Sequence, residues 1–278
     1  MWEPYWLMFL KIKIYTEKFM KYDFWKIFFS LFLLFFSVGT TFGNIAAYPK
    51  KELKKLIAKA QTGDVIFIRS SSTQSDIVQA VTKSPYSHVG MIYKFMQNGE
   101  DNVVVYEASK IVMATPLKEF MQHALPFPAP YRKSNRYILK RFSSQYLKLQ
   151  DSKNMDKLLQ SASSFLGKPY DVKFEWGDDK IYCSELVWKV YAKAFTYADL
   201  LKYPYDLFPL LEHSDQNSPL SLVDAQTWGD FQTQVSVPGS GEQQLFEKRF
   251  GAGEHPDWRD LVVSPARLFE SPFLQEVP

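Results

Sequence analysis

The pattern of apolar and polar positions predicts a mixture of helices and strands over the central part of the chain. Helical spacing of apolar residues, or an amphipathic pattern, marks five segments: residues 50–61, 73–83, 116–124, 152–166 and 181–195. Runs rich in β-branched and aromatic residues mark four strands: residues 64–69, 84–95 (after a Pro turn), 102–109 and 136–142. After residue 196 the pattern weakens, and 261–269 is the one orderly piece. We therefore predict an α+β fold.

Turn and cap signals fix how these elements connect. Asn98-Gly99 lies between two predicted strands, and this dipeptide is a strong hairpin signal. If the two residues form the turn, Gln97 pairs with Glu100, and the two residue numbers of every further pair also add up to 197. At helix starts, we expect Thr73 or Ser75 to cap the helix at 73–83.

The first 47 residues follow the order of a secretory signal peptide. Several lysines precede a nearly continuous apolar run at 27–38, and small residues follow it. The run is shorter than the roughly 20 residues that a membrane span needs. An uncleaved N-terminal anchor is the alternative, and a translation start at Met20 would give a leader of ordinary length. We predict an exported protein, periplasmic or secreted, in contact with a membrane only through this segment.

The segments define three parts of the chain. Residues 1–47 form the leader or anchor, residues 48–195 an α+β domain, and residues 196–278 a C-terminal extension. The extension contains Pro and aromatic residues in predicted loops, and we expect it to pack on the domain or to cover its cleft.

Composition and charge exclude several function classes. A hydrophobic fraction of 46% supports a sizeable core, and a net charge of +3 without a basic stripe does not suggest nucleic-acid binding. The chain has neither an HExxH motif, nor a phosphate-binding loop, nor a dinucleotide fingerprint. The sole cysteine excludes an intramolecular disulfide and a cysteine-rich zinc site. We predict neither a metal nor an organic cofactor.

That cysteine, Cys183, begins the clearest predicted helix. Asp178 and Asp179 just before it are candidate caps. A helix N-terminus carries partial positive charge and unpaired N–H groups, which stabilise a thiolate and an oxyanion. An unpaired cysteine in an exported protein is a candidate reactive thiol. Cysteine is also a common small core residue, so its position alone leaves both interpretations open.

A nucleophilic cysteine needs a base, and the chain offers four histidines. His123 lies ahead of a Pro-rich loop, and His213 and His255 lie in the irregular C-terminal part. His88 instead opens a predicted strand directly after a turn, which is a common place for functional side chains. An ordinary strand histidine is the alternative.

Hairpin arithmetic suggests a partner for His88. In the register set by Asn98-Gly99, His88 faces Ser109, and Glu107 is the diagonal neighbour of His88 on the same face. A carboxylate there would accept the imidazole N–H and fix its tautomer. A slip of one residue would place the two on opposite faces, and Glu107 would then be a solvent-facing strand residue.

Five segments in this order resemble a known family: GDVIFIR, SPYSHVGMIY, VYEAS, LGKPYD and IYCSELVWKVY, within about residues 62–195. They are similar to the circularly permuted, papain-like branch of the NlpC-type cysteine hydrolase superfamily, the YiiX-like proteins. The histidine precedes the cysteine here, as the permuted branch requires. The resemblance implies a permuted papain-like fold, in which a small antiparallel sheet packs against helices and the nucleophile lies at a helix N-terminus.

The resemblance also implies roles for individual residues. Cys183 would be the nucleophile, His88 the general base and Glu107 the residue that orients it. Tyr182 and Tyr170 match the family pattern, and with Ser87 they are candidate substrate-binding residues. For Tyr182, core packing is an equal alternative.

The implied activity is hydrolysis of an amide bond, with a peptide or cell-wall peptide as substrate. Two alternatives remain: a lipid-directed acyltransferase or thioesterase that uses the same triad on an acyl-lipid, and a non-catalytic binding module of the cell envelope. The departure from the family pattern is the extension after the cysteine helix, about 80 residues long, which is rich in aromatic loops.

Overall fold

The computed structural model describes residues 48–72, 74–130, 136–200 and 217–278. The predicted leader, residues 1–47, lies outside these ranges, so the signal peptide, the anchor and the start at Met20 remain predictions. Among the helices of the described ranges, none combines the length and the apolar character that crossing a membrane requires.

An antiparallel sheet forms the centre of the fold, as predicted. Its strands follow the order β4-β3-β2-β1-β6-β9, with β5 added beside β1. The strands are β1 (Val65–Ser70), β2 (His88–Gln97), β3 (Glu100–Ala108), β4 (Val112–Pro116), β5 (Ala124–Leu125), β6 (Tyr137–Phe142) and β9 (Leu274–Glu276). A separate pair consists of β7 (Gln226–Thr227) and β8 (Leu261–Val262).

The predicted helices are confirmed, with ends that differ by a few residues. They are α1 (Lys50–Lys59), α2 (Ser75–Thr82), α3 (Leu117–Phe120), α4 (Ser152–Ser163) and α5 (Cys183–Ala194). Three more follow in the C-terminal part: α6 (Gln232–Val235), α7 (Gly241–Phe250) and α8 (Pro265–Phe269). Single 3₁₀ turns cover Met121–His123, Tyr197–Asp199 and Trp228–Phe231. The molecule is thus an α+β protein.

The predicted hairpin register is confirmed. Gln97 pairs with Glu100, and the same constant sum holds along the ladder as far as Met91 and Tyr106. Asn98 and Gly99 have φ angles of 54° and 79°, the left-handed conformation that this type of two-residue turn requires.

The predicted caps Ser75, Asp178 and Asp179 are wrong. Ser75 is already inside α2, where its hydroxyl bonds the Ser87 hydroxyl, and Thr73 lies outside the described residues. Tyr182, not Asp178 or Asp179, precedes the first turn of α5. Asp178 and Asp179 lie four and three residues before Tyr182, too early in the chain to cap the helix, and Asp178 instead pairs with Lys189 in the second turn, at 2.7 Å.

Alternate side chains of the central strand enter two different layers. Val65 and Phe67 pack against α4 and α5, whereas Ile66 and Ile68 pack against α1 and α3. Because both faces of β1 are covered, its first four residues, Val65–Ile68, are all apolar and buried instead of alternating. The sheet therefore lies between two helical layers, and α5 packs across β2 and β3.

The described residues after 196, which are 197–200 and 217–278, contain more helices and strands than the sequence pattern indicated. Strand β9 pairs with β6 at the edge of the central sheet, and the buried side chains of Leu220, Val263 and Leu268 join the core beneath α5. The division at residue 195 remains a prediction, but the described part of the extension shares both the sheet and the core of the domain before it.

A third apolar layer, here called the aromatic cluster, joins the extension to the rest. It contains Ile77, Val81, Phe174, Tyr182, Trp228, Phe231, Val235, Phe246 and Val262. Its members come from α2, from the loop that precedes α5, and from residues 228–262. The cluster therefore ties the C-terminal elements to the loop that leads into Cys183.

Candidate active site

Cys183 occupies the first position of α5 and is 5% exposed. The first bond of the helix runs from the Leu186 N–H to the Tyr182 carbonyl, at 2.9 Å. The N–H groups of Cys183 and Ser184 precede that bond, so the helix itself does not use them. The thiol therefore lies beside donors that favour negative charge.

Glu185 holds this end of the helix in place. Its buried carboxylate accepts the N–H of Tyr182 at 3.3 Å and that of Gly177 at 3.4 Å, and it pairs with Lys189 at 2.9 Å. Burial raises the pKa of Glu185 to about 7, although Lys189 and the two N–H groups favour the charged form. Desolvation therefore outweighs the ion pair.

His88 and Glu107 lie in direct contact. The His88 Nε2 and the Glu107 Oε2 are 2.6 Å apart, which leaves the Nδ1 of the ring for Cys183. The Thr115 hydroxyl, on β4, donates to the Glu107 Oε1 at 2.5 Å. The Phe120 ring stacks on the imidazole, with centroids 5.5 Å apart. Neighbouring side chains thus fix the orientation of both the imidazole ring and the carboxylate.

The charges of the site favour an imidazolium. Burial lowers the pKa of His88, but the charge and the hydrogen bond of Cys183, followed by those of Glu107, outweigh it and raise the pKa to about 10. Burial likewise raises the pKa of Glu107, and its contacts with His88, Thr115 and the more distant His123 outweigh this and lower it. The arrangement suits a proton shared between the thiol and the imidazole.

Gly90 leaves room for the contact between the two strands. A Cβ at this position would lie 2.4 Å from the Val105 side chain and 2.9 Å from the Tyr106 carbonyl oxygen. It would also lie 3.5 Å from the Cβ of Glu107. The glycine two residues after His88 therefore allows β3 to bring its carboxylate close to the ring.

The three candidate substrate-binding residues lie in different surroundings. Tyr170 forms an isolated β-bridge with Ile181, two residues before Cys183. Burial, followed by the charge of Cys183, raises the pKa of Tyr170. The Tyr182 hydroxyl accepts the N–H of Val263 at 3.0 Å inside the aromatic cluster. Ser87 accepts the Ser70 N–H at 2.9 Å. Contacts with substrate remain predictions for all three.

Two residues of the site were not predicted from the sequence. Thr115 lies on β4, a strand that was not predicted either, and Phe120 ends the short helix that follows it. The sequence signal was weak, because VMATP has only five residues and ends in proline. Its pairing with β3, which sets Glu107 opposite Met113, is what brings Thr115 to the carboxylate.

Comparison with known proteins gives one consistent result. The model of a family described as permuted papain-like amidase enzyme, YaeF/YiiX, C92 family, matches residues 59–277. Protein YiiX of Escherichia coli (strain K12) is 40% identical over 134 residues, which are 48% of this chain and 58% of that protein. The match thus spans less than two thirds of the length of this relative.

A solved structure is similar over a larger part of the chain. It is the crystal structure of metalloprotein yiiX from Escherichia coli O157:H7, DUF1105. The similarity covers 79% of this chain and 97% of the solved one, with 32% sequence identity and a TM-score of 0.55. The matched family range includes the residues after 196, which agrees with their place in the sheet and the core.

Proposed function

The chain belongs to the C92 family of permuted papain-like amidase enzymes, YaeF/YiiX, and on this premise we propose that it is an exported cysteine hydrolase that cleaves an amide bond. Cys183 is the nucleophile, His88 the general base and Glu107 the residue that orients His88. The observation that carries the proposal is the 2.6 Å contact of His88 with Glu107 on the sheet that packs under the helix of Cys183.

The first half of the reaction forms a thioester. His88 takes the proton of the Cys183 thiol, and the thiolate sulfur attacks the carbonyl carbon of the scissile amide. The resulting oxyanion lies near the N–H groups at the start of α5, which are oriented to stabilise it. His88 then gives its proton to the amide nitrogen, the C–N bond breaks, and the amine leaves.

The second half restores the enzyme. His88 takes a proton from a water molecule, whose oxygen attacks the thioester carbon. The C–S bond breaks, the carboxylic acid leaves, and the thiolate and imidazolium form again. Glu107 keeps the imidazole in one tautomer throughout, and Thr115 keeps Glu107 in place.

The substrate that we propose is a peptide or a cell-wall peptide. The predicted leader supports this, because an exported hydrolase meets such amides outside the cytoplasm. An acyl-lipid would react through the same thioester, so the identity of the acyl group on Cys183 distinguishes the two.

The solved relative from Escherichia coli O157:H7 is described as a metalloprotein, which raises the question of a metal here. Within the described ranges, no group of three or more His, Cys, Asp and Glu side chains is close enough to hold a metal ion. Cys183 and His88 offer two donors, while Glu107 occupies the other ring nitrogen of His88. This donor set does not fit a resident metal ion, and the proposed steps use side chains alone.

The test is the release of free amines from a pool of cell-wall peptides by the purified chain. We expect release by the wild type and by His255→Ala, and at least a hundred-fold slower release by Cys183→Ala and His88→Ala. Mass spectrometry of acid-quenched protein identifies the acyl group on Cys183. Equal release by Cys183→Ala would overturn the proposal. A fatty acyl adduct would favour the lipid-directed activity. A Cys183 thiol that does not react with iodoacetamide would favour the non-catalytic binding module.

A further inference from the structure

The C-terminal helix α7 brings an arginine to the loop before the catalytic helix. The Arg249 guanidinium carbon lies 5.7 Å from the centre of the Phe174 ring, and its Nη2 donates to the Val172 carbonyl. Arg249 is half-buried. Its neighbour Lys248 is exposed on the same helix. The arginine thus points into the molecule where the lysine does not.

Arg249 has no anionic partner among the described residues. Its Nε is buried and makes no hydrogen bond, and no carboxylate of the described residues forms a salt bridge with its guanidinium. Asp171, a buried acid of the same loop, accepts the Lys173 N–H at 2.9 Å and is not paired with Arg249. A buried N–H without an acceptor costs about 1 to 3 kcal/mol of free energy. A bound anion would pair with the positive charge of this guanidinium and accept hydrogen bonds from it.

Tyr170 connects this arginine to the thiol. Burial raises the pKa of Tyr170, the charge of Cys183 raises it further, and the charge of Arg249 opposes both. Tyr170 forms an isolated parallel β-bridge with Ile181, which lies two residues before Cys183. Its ring also packs edge to face on Phe174, with centroids 6.3 Å apart. Arg249, Tyr170 and Cys183 belong to one continuous region.

The loop in this region has a strained and well-supported shape. Phe174 has a φ of 58°, a left-handed conformation that is costly for an aromatic residue. The Trp228 indole N–H donates to the Phe174 carbonyl at 3.2 Å, and the ring of Trp228 packs on that of Phe174. Strain that is held this firmly accumulates at ligand sites, and here the extension supplies both the support and the arginine.

We propose that Arg249 and Tyr170 form an anion subsite beside Cys183 that binds a carboxylate of the substrate. The inference rests on the proposed hydrolase function and adds the substrate class, an amide with a carboxylate near the scissile bond. The planar fork of a guanidinium matches a carboxylate, and the Tyr170 hydroxyl can donate to the same group. The C-terminal extension thereby determines which substrates bind beside Cys183, the nucleophile that an earlier part of the chain supplies.

The test compares two alkylating reagents that differ only at one end. N-iodoacetyl-glycine carries a carboxylate, and N-iodoacetyl-glycinamide is its neutral analogue. In both, the Cys183 sulfur displaces iodide, and the end group lies several bonds from the new C–S bond. We expect the rate ratio of the anionic to the neutral reagent to fall about five-fold or more in Arg249→Gln. Arg249→Lys should retain part of the preference because the charge remains.

Lys248→Gln is the matched control, since it removes the same charge from the next residue of α7. We expect its ratio to equal that of the wild type. An unchanged ratio in Arg249→Gln, with Cys183 reactive toward both reagents, would overturn the subsite and leave the hydrolase standing. A Cys183 that reacts with neither reagent in the wild type would overturn the hydrolase function itself. Thermal unfolding of each variant shows whether a lost ratio comes from a lost fold.

Discussion

His88 determines the electrostatics of the candidate site because negatively charged groups face its ring from two sides. Glu107 contacts one ring nitrogen, and the charge and hydrogen bond of Cys183 act on the ring as well. Each negative neighbour stabilises the imidazolium, and the protonated ring in turn stabilises the thiolate. A change at Glu107 should therefore be felt at the thiol without any direct contact between the two.

Glu107→Gln removes the charge and keeps the size of the side chain. The pKa of His88, about 10 in the wild type, should fall by at least about 1 pH unit, because a neutral amide stabilises the imidazolium less than a carboxylate does. The NMR titration of the His88 ring, assigned with His88→Ala, measures the midpoint. Glu119→Gln, an exposed glutamate of α3, is the control and should leave the midpoint unchanged. A midpoint that stays near 10 in Glu107→Gln would contradict this account.

The sequence predicted part of the site because short-range rules determine it. The Asn98-Gly99 turn fixes the register of the hairpin, and with it the contact of His88 with Glu107. Thr115 was not predictable in the same way. Its place depends on how a third strand pairs, and on a turn after Ala108 that has no strong signal.

At the scale of elements, α5 depends on a buried acid at its third position. Glu185 is 0% exposed, and its pKa of about 7 lies above the ordinary glutamate value near 4.5. Between these two values the folded chain holds the proton and the unfolded chain does not. The contribution of Glu185 to stability therefore falls as the pH rises from about 4.5 to about 7, and it is least favourable above pH 7.

Glu185→Gln tests this, because glutamine keeps an acceptor for the Tyr182 N–H and cannot ionise. The melting temperature of the variant minus that of the wild type should rise between pH 5 and pH 8, by an amount that corresponds to about 2.5 kcal/mol of unfolding free energy. Thermal unfolding at four pH values gives the difference. Glu175→Gln, at an exposed position of the preceding loop, should show no such rise. A flat or falling difference for Glu185→Gln would show that burial does not dominate at this carboxylate.

The helices and strands of the extension could not be predicted from the sequence, for physical reasons. Helix α7 has few apolar residues, of which Phe246 is the fully buried one, so its amphipathic pattern is faint. Strand β9 has three residues, and its partner β6 lies more than 130 positions earlier in the chain. Such pairing rests on tertiary packing, which no local pattern encodes. By contrast, α5 has a clear helical spacing of buried apolar residues, and β1 begins with four buried apolar residues, so the sequence indicated both.

At the scale of the whole molecule, the extension belongs to the fold of the site. It supplies an edge strand, buried side chains beneath α5, and most of the aromatic cluster around Tyr182. The hydroxyl of Tyr182, the residue before the cysteine, accepts an N–H from Val263 in the extension. Removing the extension would expose the apolar surface that it covers.

A fragment of residues 48–195 should therefore not fold cooperatively, whereas residues 48–278 should. The fragment lacks β9 and the apolar side chains that cover α5, and buried apolar surface is the main source of folding free energy. Urea unfolding followed by circular dichroism, with binding of an apolar dye as a second readout, compares the two. A sharp, reversible transition of the short fragment would show that the domain ends near residue 195, as the sequence pattern alone suggested.

The central claim is that His88 activates the thiol of Cys183, and the rate of Cys183 alkylation by iodoacetamide between pH 5 and pH 9 tests it most directly. Cys183 is the sole cysteine, so every adduct reports on it. An isolated thiol, with a pKa of about 8.5, is almost wholly protonated at pH 6 and reacts slowly. We predict fast reaction of the full chain at pH 6 and a loss of about ten-fold or more in His88→Ala, with His255→Ala unchanged. Equal rates at pH 6 in wild type and His88→Ala would contradict the account.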